Sequence, residues 1–191
     1  MLVATDYVGL GTAGPHPYLI GEDEARSVLD AVRAAKQLKE LTLAGRTVVW
    51  GHSQGGHAAL WAGILAPRYA PDDHVVGVAA LAPASNLVAL AETVNAQPLT
   101  AIFAAYMLLP YSEIFPDVHF DAYLRAGARA IARQMAGRCL AEPEVFVSLG
   151  ASLARHEPVF ATDPASGALG ARLRENTPHA PIQAPLLLAQ G

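Results

Sequence analysis

Thr47-Val48-Val49-Trp50-Gly51-His52-Ser53-Gln54-Gly55-Gly56-His57-Ala58 is the stretch whose reading decides the fold. Its first four residues form a short apolar run of strand-forming types, and Gly56 to Ala66 read as a helix. Between them Gly51-His52-Ser53-Gln54-Gly55 has the form G-x-S-x-G, where the strand ends and the helix begins. So tight a turn leaves little room for side chains near the backbone, and Gly51 and Gly55 are read as meeting that need. Ser53 is then lifted out of the sheet as a nucleophile. The Gln54 backbone N–H, opening the helix, faces the position where an oxyanion would develop. The competing reading is a glycine-rich turn with a solvent-facing serine; the apolar strand before it and the helix after it favour the nucleophile.

Working outward, Leu2 to Tyr7 reads as a buried strand that ends at Asp6 and a Gly/Pro loop holding Gly9, Gly11, Gly14, Pro15 and Pro17. Glu22 to Leu38 has helical spacing, with Ala25, Val28, Leu29, Val32 and Leu38 on one face and acidic residues in the first turn that favour the helix dipole. Val75 to Leu81 is a third apolar strand. Strand, helix, strand, helix, strand implies right-handed crossovers and a parallel sheet covered by helices, an α/β architecture. After Pro83 the pattern changes: Leu87–Val94, Leu99–Leu109, Phe120–Met135 and Pro143–Leu153 read as helices with no strand between them. Arg125, Arg129, Arg133 and Arg138 recur at helical spacing and read as a solvated face. Asp163-Pro164, Pro178, Pro181 and Pro185 mark a return by loop, and Pro185 to Gly191 reads as another buried strand. The organisation expected is a core segment over 1–84, a helical cap or lid inserted over 85–180, and a returning core strand over 181–191.

The 191 residues suffice for one sizeable domain, and 52% hydrophobic against 16% charged residues argues for a well-filled core rather than disorder. A net charge of −4 without a Lys/Arg cluster gives no footprint for nucleic acid. Cys139 stands alone, which excludes an intrachain disulfide and reads as a small buried hydrophobe. Met1 to Thr5 is too short for a signal-peptide core, and the apolar Ala101–Pro110 suits a buried or interfacial helix rather than a membrane span. His and carboxylates show no metal-ligand spacing, so no metal is expected.

Three stretches carry a resemblance: Val3-Ala4-Thr5-Asp6-Tyr7-Val8-Gly9-Leu10-Gly11, Gly51 through Ala58, and Tyr69-Ala70-Pro71 followed by Val76-Gly77-Val78. With the helical insertion before the last strand, they resemble the α/β-hydrolase fold and, within it, the secretory lipase family. The resemblance implies hydrolysis of acylglycerols or similar acyl esters by a Ser-Asp-His triad without a cofactor, in a secreted or cell-envelope setting. It places the nucleophile at Ser53 and one oxyanion donor at the Gln54 N–H. It puts the second oxyanion donor upstream of Leu2, and the triad Asp and His beyond Gly191. Asp163 and His179 have the right chain order to replace that pair but lie in the return loop. His57 reads as packing beside the elbow or bordering the cleft, His52 as a wall of the site or a structural histidine, and His16 as solvent-facing. Asp6 is read as orienting the elbow or the adjacent loop. Leu99, Ile102, Phe103, Tyr106, Met107 and Leu108 are candidates to line an acyl pocket, with packing of the helical block the competing role. A small-molecule lipid or ester substrate is the partner implied. A serine acyltransferase or thioesterase, or a non-catalytic remnant that binds lipid or a partner, remain the alternative readings.

Overall fold

The structure, a computed structural model, describes residues 1–96, 101–138, 142–153 and 159–190. The chain divides into two compact units, 1–85 with 176–191 and 86–175.

In the first unit helix α1 (Gly21–Lys36) precedes strand β1 (Thr47–His52), helix α2 (Gln54–Tyr69), strand β2 (Val75–Leu81) and, after the second unit, strand β3 (Leu186–Ala189). The described strands pair in parallel in the order β1-β2-β3. Alternation along β1 turns Val49 and Gly51 inward and leaves Val48, Trp50 and His52 exposed; in β2, Val78 and Ala80 point inward. The inward side chains meet Ala59, Ala62, Leu65 and Ala66 of α2, against which Ala25 and Leu29 of α1 also pack. The small residues of α2 let helix and sheet approach closely: a Cβ on Gly63 would come within 2.8 Å of the Val78 side chain.

Two strand expectations need correction. Leu2 to Tyr7 is not a strand. It finds no ladder partner among the described residues, Leu2 and Val3 are exposed, and a groove of about 390 Å³ separates Met1–Val3 from Thr47–Trp50. β3 does form, but every residue in it is exposed, so it is not buried as its apolar letters suggest. The sheet is likewise not covered on both faces among the described residues, since Val48 is 61% and Trp50 54% exposed. Apolar composition predicts strand propensity; burial needs a second layer, which only tertiary contacts supply.

The second unit contains α3 (Leu87–Ala96), α4 (Ala101–Ile114), α5 (Phe120–Tyr123), α6 (Ala126–Ala136), α7 (Pro143–Leu153) and α8 (Gly167–Glu175). Leu87, Met107, Leu108, Tyr111, Leu124, Met135, Leu169 and Leu173 are buried. The single helix expected over Phe120–Met135 is broken at Leu124, whose extended backbone forms an antiparallel bridge with Phe160. The Tyr123 carbonyl accepts from Ala161 N–H (2.8 Å), and Arg125 N–H donates to the Val159 carbonyl (3.1 Å). These long-range bonds replace the helical ones that local spacing predicted. The return loop expected after Asp163 contains α8, which sequence reading missed. Its signal is local: Asp163 Oδ1 accepts from Ala165 N–H at 2.9 Å, a turn that leads into the helix. Arg129 and Arg133 pair with Asp121, and Arg138 donates to the Glu144 carbonyl. No helix among the described residues is long and apolar enough to cross a membrane.

Candidate active site

Ser53 joins β1 to α2 with φ 56° and ψ −115°, a conformation that a side chain rarely adopts. The surroundings hold it there. Ser53 N–H donates to the Leu81 carbonyl at 3.0 Å, and the Ser53 carbonyl accepts from His57 N–H (3.1 Å) and Ala84 N–H (3.2 Å). A Cβ on Gly51 would lie 2.2 Å from the Gly55 carbonyl oxygen, so the sharp reversal demands glycine at Gly51. At Gly55 the expectation is corrected: a Cβ there would meet nothing within 4 Å, and it is the Gly55 backbone that occupies the space. The result is an exposed serine whose hydroxyl makes no hydrogen bond among the described residues. The Gln54 N–H stands at the helix start with no backbone acceptor, among the orphan donors of a helix N-terminus. Exposed hydroxyl and free N–H side by side are what an attacking oxygen and a developing oxyanion require.

Directly beneath the elbow lies a buried polar cluster. Glu24 and His57 are both fully buried, with Glu24 Oε2 2.7 Å from His57 Nδ1. Glu24 Oε1 accepts from Leu19 N–H (2.9 Å) and from the Gln54 side-chain amide (2.8 Å). His57 Nε2 lies 2.8 Å from the Asn176 carbonyl, which also accepts from Trp61 Nε1 at 2.9 Å. The Gln54 amide also lies 3.1 Å from His16 Nε2, whose Nδ1 is 3.1 Å from the Val8 carbonyl. His16 is therefore not simply solvent-facing; it ties the Gly/Pro loop to the elbow and sits against the Tyr7 ring at 5.7 Å. The Tyr7 phenol is pushed up to about 12, first by burial and then by the nearby charge of Glu24.

Sequence reading placed Glu24 among dipole-favouring acids of a first turn, but it is buried and bonded across to α2. A clue was there: Glu24 lies one turn past a non-helical Leu19 (φ 58°), a spacing at which a carboxylate can reach back to a free N–H. Asn176 had no local signal, since its bonds to Gly21, His57 and Trp61 span more than a hundred residues.

The remaining candidates are dispersed. His52 is exposed at the end of β1, next to Ser53. Asp6 is exposed, and its backbone carbonyl accepts from the Thr5 hydroxyl. Asp163 bonds within its own turn. His179 is exposed, with Nδ1 2.8 Å from the Thr177 carbonyl. Neither hydrogen bonds to Ser53 among the described residues. Met107 and Leu108 are buried in the helical unit, and the Tyr106 hydroxyl donates to the Arg138 carbonyl. Leu99 and Cys139, and the side chains of Ile102 and Phe103, lie outside the described residues.

A parallel sheet that delivers an exposed, strained serine at a strand-to-helix turn is the arrangement of an α/β-hydrolase fold. The chain belongs to the secretory lipase family, whose model matches residues 1–157. It is 30% identical over 132 residues to Lipase 6 of Candida albicans, covering 64% of this chain and 28% of that protein. It is 39% identical over 100 residues to a secreted triacylglycerol lipase of Malassezia globosa, covering 51% of this chain and 22% of that one. Among solved structures it is similar to the rice cell wall degrading esterase of Xanthomonas oryzae, with a TM-score of 0.77 at 20% identity over 95% of this chain and 53% of the other, which shows the fold. The chain thus spans under a third of these curated relatives and about half of that solved structure.

Proposed function

We propose that the protein hydrolyses carboxylic esters, with acylglycerols or similar lipid esters as substrates, through an acyl-enzyme on Ser53. The observation that carries this reading is the Ser53 elbow: a hydroxyl without an internal hydrogen bond, exposed beside the unpaired Gln54 N–H. In this mechanism a general base takes the Ser53 proton as Oγ attacks the ester carbonyl. The Gln54 N–H donates to the oxyanion, the alcohol leaves with a proton from the base, and water then releases the acid. The base is the histidine that the family resemblance puts beyond Gly191, oriented by an aspartate from the same region. The name of the Malassezia relative supports the triacylglycerol class, and the family's description supports secretion. His52, exposed at the end of β1, borders the nucleophile.

The test, on the full-length protein that carries this base, is turnover of p-nitrophenyl esters of graded chain length, with fluorophosphonate labelling located by mass spectrometry. Label is expected on Ser53, and Ser53→Ala is expected to lower turnover at least about a thousandfold, as loss of a triad member does. Retention of more than about a tenth of the activity would remove Ser53 from the nucleophile role. A folded protein that neither labels nor turns over would favour the non-catalytic reading.

A further inference from the structure

The Glu24 carboxylate holds one residue by its side chain and the next helical turn by another. Oε1 receives the Gln54 amide at 2.8 Å and Oε2 receives His57 Nδ1 at 2.7 Å. Gln54 is the residue whose backbone N–H faces the oxyanion, and His57 N–H bonds back to the Ser53 carbonyl at 3.1 Å. One buried carboxylate on α1 thereby grips both ends of the first turn of α2. The grip is anchored on both sides: Leu19 N–H completes the Oε1 shell, and the Asn176 carbonyl receives His57 Nε2. Because that carbonyl can only accept, His57 donates from Nε2. Leu19 N–H and the Gln54 amide both donate to Oε1, so a single proton lies between Glu24 Oε2 and His57 Nδ1. With no solvent access, every polar atom of the two side chains still has a hydrogen-bond partner.

We propose that Glu24 is a positioning residue of the oxyanion hole, its carboxylate paired with a His57 imidazolium to hold Gln54 and the strained Ser53 elbow in the reactive geometry. This rests on the hydrolase reading above. The rigidity it supplies matters most in the transition state, where the Gln54 N–H must meet a charge that the ground-state ester lacks. Glu24→Gln keeps an oxygen for Leu19 N–H and the Gln54 amide but turns its N–H₂ to a neutral His57 Nδ1, so the charge-assisted bond is lost and the grip on the first turn of α2 weakens without a change in volume. Gln54→Met cuts the side-chain tethers to Glu24 and to His16 and keeps the backbone N–H, with Glu24 still bonded to Leu19 and His57.

The experiment measures kcat and KM for a p-nitrophenyl ester, with ring-nitrogen NMR of His57, in the full-length protein as wild type, Glu24→Gln, Gln54→Met and the control Glu22→Gln. Glu22 lies on the same turn but is partly exposed, paired with Arg26 and Arg68. Expected are a fall in kcat of about 10- to 100-fold for Glu24→Gln and about 3- to 10-fold for Gln54→Met, with KM within about twofold and Glu22→Gln unchanged. His57 is expected to show protons on both nitrogens in the wild type and on one in Glu24→Gln. Should Glu24→Gln fail to fold, Gln54→Met carries the kinetic test. A folded Gln54→Met with wild-type kcat, or a wild-type His57 with a single ring proton, overturns the proposal. If the wild type itself shows no turnover, the hydrolase reading fails, and the oxyanion role of Glu24 falls with it; the NMR result then reports only whether the buried pair exists.

Discussion

The two units handle buried polarity in opposite ways. Every buried charged or amide side chain among the described residues, Glu24, His57, Asp73 and Asn176, belongs to the sheet-bearing unit. The helical unit buries leucine, methionine and aromatic side chains, and keeps its ion pairs, Arg129 and Arg133 with Asp121 and Arg172 with Asp117, near the surface. The difference is one of directionality. The Ser53 elbow is held at one strained set of angles, and hydrogen bonds specify angles, whereas apolar packing specifies volume and tolerates rearrangement.

That contrast can be broken most decisively at His57. His57→Leu strands the Glu24 carboxylate in an apolar enclosure, and urea unfolding is expected to show a loss of about 3–5 kcal/mol. A loss under about 1 kcal/mol would mean that the buried pair is dispensable and the contrast is only geometric. In the helical unit the corresponding lesion is a cavity: Leu169→Ala, at a fully buried site, is expected to destabilise by about 2–4 kcal/mol by the same measurement. A smaller effect would show a core able to collapse around the gap.

A pH experiment sharpens the comparison. Tyr7 ionises near 10 in the unfolded chain and about 12 in the folded one, so between those values the unfolded state holds fewer protons. Stability from this group is complete below the unfolded value and falls as pH rises through the window. Thermal unfolding is expected to show that alkaline decline, and Tyr7→Phe is expected to reduce it. The smallest effect is expected at the surface of the helical unit. Arg133 pairs with the exposed Asp121 and lies 4.2 Å from the Phe120 ring centroid, and Arg133→Ala is expected to change stability by under about 1 kcal/mol.

Much of the sheet-bearing unit was legible in the letters because its information is local. Gly51 through Gly55 announce a turn, the runs at Val48 and Val76 announce strands, and α1 and α2 lie where apolar spacing put them. The errors fall where partners are distant. Leu2–Tyr7 has strand composition but no ladder partner among the described residues; the predicted helix through Leu124 yields to Phe160; α8 lies where the Asp and Pro spacing predicts a loop. The buried cluster fared likewise, for Glu24 looks like any acid in a first turn until α2 is laid against it.

By itself the sequence determined the α/β class and the elbow that exposes Ser53, because a strand, a glycine-bounded reversal and a helix are encoded within a dozen consecutive residues. Only the tertiary structure decided what holds that elbow still. Glu24, His57, His16 and Asn176 acquire their roles through bonds that join residues 30 to 119 positions apart, and hydrogen-bond partners at such separations are set by how helices and sheet pack, not by any local pattern.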